Sequence, residues 1–161
     1  MGCATFNVNG LGESNKRREV FNWIANKNDD IILLQETHST SDSEQTWNNA
    51  WNGRILFNHG TSNSLGTAFL IKNNEIQVNM HKIIVPGRLA VIEFTHEGLE
   101  YCIANIYASN HDETDCVEKL LEEIFGRLKD DYIIMAGYWN TVLDNIKDKL
   151  GGALAHANKK R

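Results

Sequence analysis

A chain of 161 residues, 42% of them hydrophobic, is long enough for one domain with a core of ordinary size and too short for two. Its 16 basic and 21 acidic side chains leave a net charge of −5, so any contact with nucleic acid has to come from a local patch, not from a bulk positive field. The three cysteines, Cys3, Cys102 and Cys116, are too few and too scattered for a disulfide framework or a zinc site, and no apolar stretch suits a signal peptide or a membrane span; a soluble, intracellular protein is expected.

A first strand runs from Cys3 to Phe6 and ends at Asn7. Met1-Gly2-Cys3 is not a myristoylation signal, because Phe6 stands where Ser or Thr is required. Gly10-Leu11-Gly12 has the look of a dinucleotide loop, yet Asn15 fills the third glycine position and no acidic residue follows in the ribose-binding role. Ser14 is expected to cap a helix from Asn15 to about Asn26, with Val20, Phe21, Ile24 and Ala25 on one face. Ile31-Ile32-Leu33-Leu34 then reads as a strand buried on both sides, closing at Gln35-Glu36. Ser41 and Glu44 form a capping box for a second helix carrying Trp47, Ala50 and Trp51.

After Gly53 the pattern turns to strands: Arg54 to Phe57, Thr67 to Ile71, Glu75 to His81, Leu89 to Thr95, and Leu99 to Ala108. Consecutive strands imply antiparallel pairing, with hairpin turns at Lys72-Asn73-Asn74 and His96-Glu97-Gly98. Val117, Leu120, Leu121, Ile124, Phe125 and Leu128 follow helical spacing, and the strand Tyr132 to Ala136 comes next. The expected architecture is a mixed α/β fold, a layered β-sandwich flanked by helices. The closing Lys159-Lys160-Arg161 reads as a solvated end.

Asn7, Glu36, Tyr107 and Asn140 each follow an apolar strand. Loops at strand ends open the ligand crevice of α/β sheets, so such side chains can converge. Glu36 suits Mg²⁺, which prefers oxygen ligands and keeps waters and substrate phosphate oxygens besides. Arg88, following Gly87, suits a phosphate contact. Either residue alone would be an ordinary solvated surface group.

Together the spellings Asn7-Val8-Asn9-Gly10-Leu11, Gln35-Glu36-Thr37-His38, Asn105-Ile106-Tyr107-Ala108 and Gly137-Tyr138-Trp139-Asn140-Thr141 point further. From Ala4 to about Leu150 the chain resembles the endonuclease/exonuclease/phosphatase family, and within it the endonuclease domains of LINE-type (non-LTR) retrotransposons. The resemblance implies a DNase I-like fold and Mg²⁺- or Mn²⁺-dependent hydrolysis of phosphodiesters in DNA. It implies Glu36 on the metal with Asn7 in support, and Tyr107 and Asn140 on the scissile phosphate; Asn9 and Arg88 are expected toward the substrate. It implies a nuclear location if the target is genomic DNA.

The family's catalytic Asp is here Tyr138. A phenol titrates near 10 and cannot act at neutral pH as the carboxylate that orients and activates water. Asp144 and Asp148 lie past Asn140 in a segment with no strand of its own. Family members continue to an Asp-x-Asn segment and a terminal Ser-Asp-His, neither of which follows here, so residues 1–161 are expected to form the N-terminal part of one such domain. The six histidines, His38, His59, His81, His96, His111 and His156, read as surface residues. Exposed edges and marginal stability are expected to follow, with Ile31 to Leu34 and Tyr132 to Met135 as aggregation-prone runs. The expected function is an impaired endonuclease, with a non-catalytic phosphate or nucleic-acid binder and a decayed fragment as alternatives; whether it turns over is left open.

Overall fold

In a computed structural model that describes residues 1–108, 113–126 and 132–139, strands β1 (Cys3–Asn7), β2 (Ile31–Gln35), β3 (Arg54–Asn58) and β4 (Thr67–Ile71) form one sheet in the order β1-β2-β4-β3. Strands β5 (Gln77–Val85), β6 (Leu89–His96), β7 (Leu99–Tyr107) and β8 (Tyr132–Tyr138) form a second in sequence order. Helices α1 (Ser14–Ala25) and α2 (Glu44–Ala50) cover the first sheet, and α3 (Glu113–Phe125) lies against the second. The layered α/β sandwich expected from the sequence is the one observed.

The period-2 geometry of strands explains the layering. Along β2, Ile31 and Leu33 enter the core between the sheets with Phe69, Ile92, Phe94 and Ile103, while Ile32 and Leu34 face α1 and α2. A run buried on both faces has no polar alternation, which is how β2 reads in sequence. Phe21, Trp47 and Trp51 interlock edge to face under the helices, Phe21 lying 5.5 Å from Trp47 and 5.4 Å from Trp51. Burying each such large side chain contributes about 1.5–3 kcal/mol. On the far side, Leu89, Val91, Cys102, Ala104 and Ile106 pack with Leu120 of α3.

Several local expectations are corrected. The cap of α1 is Glu13, not Ser14: its carboxylate accepts from Asn15 N at 2.8 Å and Lys16 N at 2.6 Å, and these two amide bonds hold its carboxyl below the usual range. The second capping box joins Thr40 and Ser43, with Thr40 N donating to Ser43 Oγ at 3.0 Å, and a 3₁₀ turn (Ser41–Ser43) precedes α2. Lys72-Asn73-Asn74 is no hairpin. It carries the chain from the first sheet to the second, turned by Asn73 Oδ1 accepting from Glu75 N at 2.9 Å, and the next strand starts at Gln77 instead of Glu75. The His96–Leu99 hairpin is present, with Glu97 and Gly98 at positive φ of 51° and 79° as its tight turn requires. Helix α3 starts and ends earlier than its apolar spacing suggested, and β8 extends to Tyr138.

At the margin of the second sheet, β8 exposes Tyr132 (50%) and Met135 (48%), whereas Ile31 to Leu34 are wholly buried. Among the described residues, therefore, only the run Ile31 to Leu34 of these two is fully covered. The histidines also depart from expectation: His96 is buried, and His38, His59 and His81 are half-buried. His111 and His156 lie outside the described residues. Among the described residues no helix is long and apolar enough to cross a membrane.

Candidate functional site

Two parallel strand pairs build the site. β1 runs beside β2 with Asn7 opposite Gln35, and β7 runs beside β8 with Tyr107 opposite Tyr138. The pairs face each other across the sandwich. Their common orientation is fixed by a polar tie through the core, where Gln35 Nε2 donates to Asn105 Oδ1 at 2.8 Å and to Thr5 Oγ1 at 2.9 Å. Asn105 Nδ2 in turn donates to Leu34 O at 3.1 Å and Ala68 O at 3.0 Å, joining β7 to β2 and β4. A second buried amide, Asn58, bridges the sheets near the same end. Its Nδ2 donates to Val85 O at 3.1 Å, and its Oδ1 accepts from Gly87 N at 2.7 Å, which sets the turn carrying Arg88. Sequence reasoning missed Asn58 and gave Asn105 only a place in a motif; an Asn inside or ending an apolar strand was the available signal, since a buried amide needs partners.

Beyond the strands the loops keep pairing: Val8 N, Gly10 N and Leu11 N donate to Gln35 O, Glu36 O and Thr37 O at 3.0, 2.7 and 2.9 Å. Three non-glycine residues here take the left-handed conformation, Asn9 (φ 47°), Glu36 (φ 56°) and His38 (φ 55°). Such backbone costs on the order of 1–3 kcal/mol per residue and persists where surroundings enforce it. The enforcement is visible. Asn7 Oδ1 accepts from Asn9 N at 3.0 Å, and Lys16 Nζ donates to Val8 O at 2.9 Å and Asn9 O at 2.7 Å. Thr37 N and His38 N donate to Gly66 O and Leu65 O at 3.0 and 2.9 Å. Further along the loop, Ser39 Oγ lies 3.1 Å from His59 Nδ1, and His59 Nε2 lies 2.7 Å from Glu44 Oε1, tying the segment after Glu36 to α2.

Tyr107 is the hub. Its phenol is pushed up by burial first and then by the Glu36 carboxylate, which also accepts its hydrogen bond; Tyr138 adds in the same direction and Arg88 opposes. Tyr107 N donates to Arg88 O at 2.7 Å, so the β6 start is held against the β7 end. The Tyr107 and Tyr138 rings stack at 6.0 Å with 24° between planes, and Tyr138 O accepts from Ala108 N at 2.8 Å. Close pairing of β7 and β8 depends on Gly137, at φ 148°, where a Cβ would collide with the backbone of Ile106. Tyr138 stays 41% exposed and Trp139 37%.

Glu36, Tyr107, Tyr138 and Arg88 thus gather in one cluster, and Asn7 with Asn9 lies beside it on the paired loop. Asn140, Asp144 and Asp148 lie outside the described residues. Among the described residues no group of three or more His, Cys, Asp or Glu is set to hold a metal ion. Chemically the cluster offers one hard anionic oxygen, one cation and two phenols.

The model of the Endonuclease/Exonuclease/phosphatase family matches residues 4–152. The transposon TX1 uncharacterized 149 kDa protein of Xenopus laevis is 29% identical over 147 residues, 89% of this chain and 11% of that protein. The chain therefore spans about a tenth of that relative's length. Among solved structures, D. rerio TDP2 complexed with single strand DNA product aligns with a TM-score of 0.67 at 18% identity over 86% of this chain and 60% of its own. The 3′ phosphatase NExo from Neisseria bound to product DNA hairpin aligns at 0.66, with 19% identity over 88% of this chain and 58% of its own. The human Nocturnin catalytic domain gives 0.61 at 16% identity over 85% and 62%. These likenesses establish the fold.

Proposed function

We propose, since the chain belongs to the endonuclease/exonuclease/phosphatase family, that it is the endonuclease-like domain of a non-LTR retrotransposon, addressing DNA phosphodiesters with an impaired water-activating step. The observation that carries this reading is Tyr138 stacked on Tyr107, whose phenol Glu36 faces, a phenol where the resemblance puts a catalytic carboxylate. The transposon relative and the DNA in two of the aligned structures support DNA as partner, and a nuclear site of action follows if that DNA is genomic.

Nucleases of this family are generally divalent-metal dependent. The donors present fit Mg²⁺ in kind: Glu36 offers a hard carboxylate and Asn7 an amide oxygen, though that oxygen already accepts from Asn9 N. With one strong protein donor among the described residues, affinity rests largely on waters and substrate phosphate. A bound Mg²⁺ would supply positive charge to the non-bridging oxygens. Tyr107, released from Glu36, donates its O–H to a phosphate oxygen, and Arg88 adds charge on the same side. Tyr138 places a phenol where the resemblance has the carboxylate base. Loss of one positioned base typically lowers rate by about 10² to 10⁴.

Nicking of supercoiled plasmid with Mg²⁺ or EDTA, by the wild type, Tyr138→Asp and Glu36→Ala, tests the reading. Weak or absent nicking by the wild type and metal-dependent nicking by Tyr138→Asp are expected. Efficient nicking by the wild type that survives Glu36→Ala would sink it.

A further inference from the structure

We propose that Tyr138 and Tyr107 form a stacking platform for an unpaired nucleobase, making the site selective for single-stranded over duplex DNA. The inference rests on the DNA reading above and deepens it. Three observations carry it. Tyr138 keeps two-fifths of its surface open at the strand end, and the aromatic Trp139 follows it, also partly open. The ring beneath it is placed by the backbone, with Tyr107 N donating to Arg88 O at 2.7 Å, and it stacks on Tyr138 at 6.0 Å with 24° between planes. An ordered aromatic pair loses little further rotamer freedom when a base lands on it.

The third observation is chemical juxtaposition. The platform adjoins Arg88 and Glu36, the groups suited to a phosphate directly or through a cation. A strand whose phosphate sits there brings an adjoining base to the rings. In a duplex that base is already stacked on its neighbours and unavailable, whereas an unpaired base presents a free π face. With a net charge of −5 the protein cannot rely on long-range attraction, so stacking supplies what the field does not.

Fluorescence anisotropy in EDTA with an oligothymidylate of about ten nucleotides, the same strand carrying abasic sites, and a duplex tests this. The wild type, Tyr138→Ala, Tyr138→Phe and Arg88→Ala are compared after each gives a cooperative melt. Tyr138→Ala is expected to weaken binding of the base-bearing strand about 5- to 150-fold, with Tyr138→Phe retaining it. The abasic strand should bind the wild type as weakly as it binds Tyr138→Ala, and Arg88→Ala should weaken all three ligands. Equal affinity for abasic and base-bearing strands, or no effect of Tyr138→Ala, overturns the platform while leaving the phosphate site standing. No binding of any of the three, in EDTA or with Mg²⁺ added, overturns the DNA reading and the platform with it.

Discussion

Replacing Asn105 by Ala removes a buried polar tie between the sheets. The amide is fully buried and makes three bonds, accepting from Gln35 Nε2 at 2.8 Å and donating to Leu34 O at 3.1 Å and Ala68 O at 3.0 Å. Gln35 keeps its bond to Thr5, so the loss falls mainly on two backbone carbonyls and one amide hydrogen. Three lost bonds at about 0.5–1.5 kcal/mol each, with one Gln35 amide hydrogen left unpaired, give about 2–5 kcal/mol against a typical total of about 5–15. Urea denaturation followed by circular dichroism should show a midpoint lower by about 1 M or more at unchanged slope. Asn105→Asp separates geometry from donor chemistry. It keeps the shape and the acceptor for Gln35 but turns a carboxylate oxygen toward Leu34 O and Ala68 O, so it should cost at least as much as Ala. A loss below about 1 kcal/mol in Asn105→Ala, or a stable Asn105→Asp, would refute the assignment of this amide as the tie.

Two further outcomes are expected. Cys3, pushed up to about 11 from a thiol's 9.0 by burial and then by Asp29, favours its neutral form in the fold. A raised acid contributes stability that is complete below pH 9 and lost as pH climbs toward about 11; thermal melts across that window should flatten in Cys3→Ala relative to the wild type, and identical profiles would contradict the shift. Gly137→Ala places a Cβ against the Ile106 backbone at φ 148°, so it should unpair the end of β8 and lose more than the roughly 1 kcal/mol of an ordinary exposed substitution, read as faster amide exchange at Ala108, whose N–H is bonded to Tyr138 O.

What was legible in the sequence were features that one strand or one helix decides alone. The continuous apolar run Ile31 to Leu34 announced a strand covered on both faces, and the Glu97-Gly98 pair announced its hairpin, because burial and φ are local demands. Sheet membership was not local. Thr67 to Ile71 and Glu75 to His81 read as neighbours joined by a polar triplet, yet the chain crosses between layers there, since β4 is claimed on both edges by β2 and β3. The site divided in the same way. The strand-end residues could be seen individually, and the motif context grouped them. The inter-sheet amides Asn58 and Asn105 that align the strand ends could not be assigned, because their partners on the opposite sheet lie 27 to 71 positions away in the chain. His59 was misjudged for the same reason, its two partners being Ser39 and Glu44 in a preceding loop and helix.

Tyr138 ties the two proposals together through signs that ordinary damage cannot produce. Tyr138→Asp adds a second carboxylate to the cluster around Tyr107, which supplies a group able to orient water and adds negative charge where a phosphate must approach. Two unit charges about 4 Å apart near a protein surface repel by about 4 kcal/mol at an effective dielectric of 20, and solvent at this exposed position reduces that further. The same change also removes the aromatic face. Metal-dependent nicking should therefore rise while metal-free binding of single strands falls. A substitution that merely loosened the fold would lower both, and one that left the site untouched would move neither. Opposite movement in one variant, measured on the same preparation, separates a site retuned from turnover to binding from one that has simply decayed.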